Sequence, residues 1–296
     1  MLVEKDLNKL IRILNVNEIH KFKFEEDYKK IYSLDQMNSD INFQNLVYPY
    51  IRLNNHKNTT SRLDFIEKTN NKHLNNLETK LSLKSILYRL AKGDTLIMDG
   101  IDVFNQNVRT FSRVLSNGLN AKVSSNLYYT FRDNTGINLH FDQHDVLAIQ
   151  IHGQKKWHFV RNIIEDASQK IDHSIKPILD SDSVVIETIL LEEGEFLFIP
   201  KGIWHYTETT AEKSSLHIAF GLIPPNIHDV LNEFIRQKIG KYGQKNVYSL
   251  DEKKYQSVVE ELISKLNDSV DEKLNSIEFS NFLKIYKNQY TNIELI

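Results

Sequence analysis

The chain has 296 residues, a formal net charge of -2 and 41% hydrophobic residues. That apolar content can bury a core and excludes global disorder, while the near-neutral balance offers no basic field, so direct nucleic-acid binding is not expected. The absence of cysteine excludes disulfides, thiolate metal sites and cysteine nucleophiles, and leaves His, Asp and Glu as the residues able to hold a metal.

The opening MLVEKDLNKL carries charge from its first turn and does not read as a signal peptide. No apolar run approaches the roughly 20 residues that a membrane span needs. A soluble, cytoplasmic chain with no membrane partner is therefore expected. Leu7, Leu10, Ile11 and Leu14 repeat at helical spacing and predict an amphipathic helix over 4–15. Residues 17–53 mix aromatics with a Tyr48-Pro49-Tyr50 break and read as irregular structure against the core. Residues 54–81 are rich in Asn, Lys and Thr, which predicts a loop or a helix with a wide polar face.

At 83 the pattern sharpens. Leu83, Ile86, Leu87 and Leu90 form a helical stripe with Gly93 suited to the cap. A short apolar strand follows at 95–98, then a helix through Val108, Phe111, Val114 and Leu115 that ends near Gly118. Residues 121–131 read as a strand rich in β-branched and aromatic residues. The run 146–151 is apolar but for Gln150, as in a strand buried on both faces. Residues 157–160 read as its hairpin partner across His152-Gly153. After a polar connection at 161–182 come strands at 184–191, 196–199, 204–207 and 216–222, separated by Gly and Pro turns. Short strands at such spacing indicate a closed or sandwiched β unit. Pro224-Pro225 ends the β pattern, and the apolar stripe Tyr255, Val258, Val259, Leu262, Ile263 and Leu266 marks helices beyond it. Three regions follow: 1–82, helical and irregular, packed on the core; 83–225, the β unit; and 226–296, a helical appendage that caps the core or forms a homodimer.

The chemistry concentrates at 136–157, GINLHFDQHDVLAIQIHGQKKW. Residues two apart on a strand point to one face, so a His140 nitrogen and an Asp142 oxygen can converge on one point. A third ligand from another strand would complete a 2-His-1-carboxylate face with open positions, the set suited to non-heme Fe(II). His205, delivered by the turn Pro200-Lys201-Gly202, is the leading candidate; His217, on an alternating strand, is second and fits better as a core or supporting histidine. His144, His152 and His158 fall at turns or out of phase and read as surface or pocket-rim residues.

The stretch resembles the JmjC-type, cupin-fold 2-oxoglutarate oxygenases, and within them the ribosomal-oxygenase-like group. The match is H-x-D-x-x-D-V-x-x-x-Q-x-x-G-x-K-x-W from His140 through Asp145, Val146, Gln150, Gly153 and Lys155 to Trp157. Upstream, Asn126-Leu127-Tyr128-Tyr129-Thr130 is similar to the family's N-x-Y-x-T strand, and 93–101 to the strand before it; downstream, 194–202 leads to His205. The resemblance covers roughly 83–222 in consistent order. It implies a mainly β chain whose core is a double-stranded β-helix (a jelly roll), with N-terminal helices and a helical C-terminal appendage. It implies His140, Asp142 and His205 as iron ligands and Fe(II), 2-oxoglutarate and O2 as cofactors and co-substrates. Lys155 would bind the distal carboxylate of 2-oxoglutarate, a sound reason to bury a cation, with help from Asn126 and Tyr128. Thr130 reads as an ordinary strand residue. The chain departs from the family at Leu147, usually Phe, and at the polar stretch 133–138, which would border the substrate entrance along with 54–81.

The implied activity is hydroxylation of an amino-acid side chain in a protein or peptide, with 2-oxoglutarate decarboxylated to succinate. Two alternatives stand beside it: the same chemistry on a free amino acid or small metabolite, and a catalytically silent cupin used as a binding module. Phosphate-binding loops, dinucleotide fingerprints and nucleophile elbows are absent from the sequence.

Overall fold

Two sheets carry the fold, and the chain alternates between them. In this computed structural model the described residues are 4–25, 27–41, 50–54, 64–71, 76–131, 137–161, 185–210 and 214–225, with isolated helical positions at 229, 256, 257, 260, 261 and 264. The chain divides into two compact units, one of residues 1–118 with 123–223 and the other of 119–122 with 224–296. Beyond those isolated positions the helices expected in 226–296 lie outside the described residues, as do the connection over 162–184 and most of the 133–138 stretch.

The strands in chain order are β1 (His20–Phe22), β2 (Ile51–Asn54), β3 (Ile66–Asn71), β4 (Asn76–Leu81), β5 (Thr95–Asp99), β6 (Lys122–Thr130), β7 (Asp145–His152), β8 (Gln154–Arg161), β9 (Val185–Glu192), β10 (Phe196–Ile199), β11 (Trp204–Thr209) and β12 (Ser215–Ile223). A large sheet runs β1-β10-β7-β12-β6-β5-β2 and a small one β11-β8-β9. From β7 onward the chain crosses to the small sheet for β8 and β9, returns for β10, crosses for β11 and returns for β12. This is the winding of a double-stranded β-helix, as expected of the cupin class.

The crossing corrects one reading. β7 and β8 are not hairpin partners: β7 pairs antiparallel with β10 and β12, and β8 with β9 and β11. Gly153, at φ 67, supplies the left-handed conformation that a side chain resists, and its turn carries the chain from one sheet to the other. Two further readings change. Residues 17–53 contribute edge strands β1 and β2 to the large sheet and a helix at Leu34–Ile41. The polar stretch 54–81 holds a hairpin, β3 against β4, where a loop or helix was expected.

Helices α1 (Glu4–Val16), α2 (Leu34–Ile41), α3 (Leu83–Ala91), α4 (Ile101–Phe104) and α5 (Gln106–Leu119) complete the order. α5 ends at Leu119, near Gly118 as expected. That glycine also serves close packing: a Cβ there would lie 2.5 Å from Leu7 Cδ2 of α1. α5 covers the outer face of the large sheet, with Phe111 5.0 Å from Phe220 and 6.3 Å from Phe196 between ring centroids. Between the sheets lies a second apolar layer of Val146, Ala148, Trp157, Phe159, Leu191, Leu197 and Ile199. β7 is therefore buried on both faces, which explains its apolar run, interrupted only by the buried Gln150.

Phe220 is fully buried, so Phe220→Ala should cost about 3–5 kcal/mol of unfolding free energy in urea titrations. Leu87→Ala, at a residue 66% exposed, should change it by less than ~0.5 kcal/mol.

Candidate metal and anion site

The strand ends that face the barrel interior decide the site. His140 and His205 form an isolated antiparallel bridge, with His140 N–H donating to His205 O at 3.0 Å and His205 N–H to His140 O at 2.8 Å. Gly202 N–H donates to Asp142 O at 2.9 Å, so the Pro200-Gly202 turn is tied to the same segment. The ring centroids of His140 and His205 lie 4.4 Å apart. Ligand atoms of His140, Asp142 and His205 fall within 4.8 Å of one another, and Asp142 Oδ2 is 3.7 Å from His205 Nε2.

Both imidazoles are oriented in the same way. His140 Nδ1 lies 2.7 Å from Asn138 O and His205 Nδ1 2.9 Å from Ile203 O. A carbonyl only accepts, so each Nδ1 carries the hydrogen and each Nε2 keeps its lone pair. Burial, then the neighbouring His140, holds the His205 pKa down to about 4. A neutral imidazole, a second one and a carboxylate within a few ångströms are the donor set that a 2-His-1-carboxylate metal site requires.

The three line an open cavity together with Ser124, Asn126, Tyr128, His144, Trp157, Thr207, His217 and Gly221, among others. Asn126 accepts from Gly100 N–H at 3.1 Å and also hydrogen-bonds Tyr128. Burial raises the Tyr128 pKa to about 12 against that bond, so the phenol keeps its proton.

Lys155 is fully buried on β8. Its Nζ donates to Thr130 Oγ1 at 3.0 Å, its sole hydrogen-bond partner among the described residues, where no carboxylate pairs with it. Burial alone lowers its pKa to about 7. Three other interior atoms have no partner among the described residues: Trp157 Nε1, Gln150 Oε1 and His217 Nδ1. A lone buried cation with a single hydroxyl is an environment that an anion would complete, and of the unmet atoms Trp157 Nε1–H is a donor free to meet one.

The sequence-derived residues thus meet: His140, Asp142 and His205 converge, Asn126 and Tyr128 line the same cavity, and Lys155 is buried behind it. Thr130, taken as an ordinary strand residue, holds the Lys155 ammonium; its alternation with Asn126 and Tyr128 was the available signal. His144 does sit on the cavity rim. His158 is not a surface residue: it is 9% exposed, with its ring nitrogens near Thr188 Oγ1 at 2.8 Å and Glu208 Oε2 at 3.2 Å. Ser124 and Thr207 carried no local signal.

With this geometry established, similarity to known proteins is informative. The JmjC domain family matches residues 101–230. The chain is 27% identical over 165 residues to protein YxbC of Bacillus subtilis, covering 50% of this chain and 49% of that one. It is 29% identical over 122 residues to the bifunctional lysine-specific demethylase and histidyl-hydroxylase NO66 of Dictyostelium discoideum (39% of this chain, 22% of that one). With ribosomal oxygenase 1 of Rattus norvegicus the identity is 27% over 126 residues (42% and 21%). The chain therefore spans at most about half the length of these relatives. The Escherichia coli ycfD structure overlays 91% of this chain and 68% of that one, at 15% identity and a TM-score of 0.49.

The depressed lysine gives a pH prediction. With the folded-state pKa near 7 and an unfolded one near 10.4, the unfolded chain binds the extra proton between those values. Stability then rises with pH through about 7–10 and the lysine's cost is full below 7. Lys155→Met should accordingly be more stable than the parent by roughly 1–3 kcal/mol at pH 6.5, with the gap narrowing by pH 9.5 in urea titrations.

Proposed function

We propose, from the match of residues 101–230 to the JmjC domain family and the similarity to ribosomal oxygenases, that the chain is an Fe(II)- and 2-oxoglutarate-dependent oxygenase that hydroxylates an amino-acid side chain of a protein or peptide. The observation that carries this reading is the fully buried Lys155, held by one hydroxyl, within the same barrel as the His140, Asp142 and His205 cluster. A metal site alone gives no reason to bury a cation; a metal site that works with a dicarboxylate does. The same feature argues against a silent binding module.

In this reading His140 and His205 hold the metal through Nε2 and Asp142 through a carboxylate oxygen. When bound, iron supplies the O2 chemistry that couples decarboxylation of 2-oxoglutarate to oxidation of the substrate. The chain's own residues bind and orient. Lys155 meets the distal carboxylate, and an anion beside it favours the charged ammonium over the neutral amine that burial otherwise promotes. Tyr128 keeps a phenolic hydrogen to donate. Trp157, Val146 and Ala219, lining the cavity, exclude water, which strengthens each polar contact inside. A protein or peptide substrate is supported by what the relatives' names state of those proteins, a histidyl-hydroxylase and a ribosomal oxygenase.

Succinate should form when the chain, Fe(II), 2-oxoglutarate and a lysate peptide pool are mixed in air, and mass spectrometry should find peptides heavier by one oxygen atom. His140→Ala and Asp142→Ala should each lose roughly 100-fold or more of succinate formation. Turnover at the parent rate in His140→Ala would end the iron assignment. Lys155→Ala should raise the 2-oxoglutarate KM about tenfold or more with metal affinity intact.

A further inference from the structure

His217 is one of four histidines that line the cavity, and the mechanism above gives it nothing to do. It is 2% exposed and lines the same cavity as His140, Asp142 and His205. Its ring is clamped: it stacks on Tyr128 at 4.9 Å and 11°, and meets Trp157 edge-on at 5.3 Å and 72°. Its Nδ1 is buried with no hydrogen-bond partner among the described residues. An unmet polar atom in so fixed a ring costs free energy that packing alone does not return.

His217 faces inward by the ordinary alternation of β12. It opposes Gln150 of β7, as Ala219 opposes Ala148 and Gly221 opposes Val146, and directly opposed residues share a sheet face. The register shift falls between Leu216 and His217, so Leu216, paired with His152, is the residue displaced from that alternation.

Position along the barrel says what it would touch. The Trp157 ring lies 5.8 Å from His205 and 5.3 Å from His217. The charge of Lys155 also reaches His217 and, after burial, helps to push its pKa well below the ordinary value. His217 therefore shares the cavity with the metal-ligand cluster and feels the buried cation, and it is neutral, with one ring nitrogen bearing hydrogen.

Resting on the proposed function, we propose that His217 is a positioning residue for the dicarboxylate co-substrate, a ring N–H donating to a carboxylate oxygen of 2-oxoglutarate. It is not a metal ligand. The clamped ring fixes the donor before the ligand arrives, so little ordering is lost on binding.

The test uses calorimetric titration of the Co(II)-loaded protein with 2-oxoglutarate, and of the metal-free protein with Co(II). His217→Phe keeps an aromatic ring against Tyr128 and Trp157 and removes both nitrogens. It should weaken 2-oxoglutarate binding about tenfold or more and leave Co(II) affinity within about threefold. His217→Asn, which keeps an N–H donor, should recover part of the loss. Parent-like 2-oxoglutarate affinity in a folded His217→Phe overturns the proposal, and so does a loss of Co(II) affinity, which would make His217 a ligand. Should His217→Phe not fold, His217→Leu carries the same comparison with the same deciding outcomes. If the parent itself fails to bind 2-oxoglutarate, the function proposed above fails with it, whereas binding by the parent and equally by the variants sinks only the role of His217.

Discussion

The site hangs on one rung of backbone. His140 and His205 exchange both of their main-chain hydrogen bonds, and that rung closes the entrance to β7 onto the start of β11. Their Nδ1 atoms then point at carbonyls two residues earlier, Asn138 O and Ile203 O, and the Gly202 N–H bond to Asp142 O holds the acid beside them. The three donors are thus placed by peptide groups more than by contacts among their own side chains. Main-chain bonds hold positions to within tenths of an ångström, the tolerance that metal ligands need.

Around this frame the barrel interior is unusually polar for a core. One face of β6 carries Ser124, Asn126, Tyr128 and Thr130; β8 adds Lys155, β7 Gln150 and β12 His217. Several are satisfied by each other: Thr130 receives Lys155, Gln150 donates to Ser215 Oγ and His152 O. Asn126 accepts from Gly100 N–H and bonds Tyr128, whereas Gln150 Oε1 and His217 Nδ1 have no partner among the described residues. A core of this kind is less stable than an apolar one of equal volume.

Much of this was legible in the sequence, and what was not has physical causes. The triad could be read because period-two spacing and a Pro-Gly turn are local signals. The strands from 95 to 223 could be read because β7 and its neighbours are long and strongly apolar. The partner of β7 could not: Gly153 signals a turn, and a turn says nothing about which sheet receives the next strand, since that is decided by β10 and β12 far along the chain. Edge strands β1 and β2 are three and four residues long, too short for periodicity to show. The β3–β4 hairpin lacks the alternation that would mark it. Thr130 and His217 are ordinary residues on ordinary strands until burial and register are known, because an unmet nitrogen is a property of packing and not of composition.

The alternation of successive strands between the two sheets has a kinetic consequence. Ile149 of β7 finds its partners at Phe196 and Ile218, so the central strand is completed only by segments made much later. Folds dominated by such distant pairings close slowly, because the entropy of large loops is spent before their contacts form. His140 and His205 meet only when β11 arrives, almost the last strand of the winding. The cluster of His140, Asp142 and His205 is therefore assembled only once segments roughly 60 residues apart have been brought together, and a chain wound no further than β10 holds the two imidazoles on separate, unjoined segments.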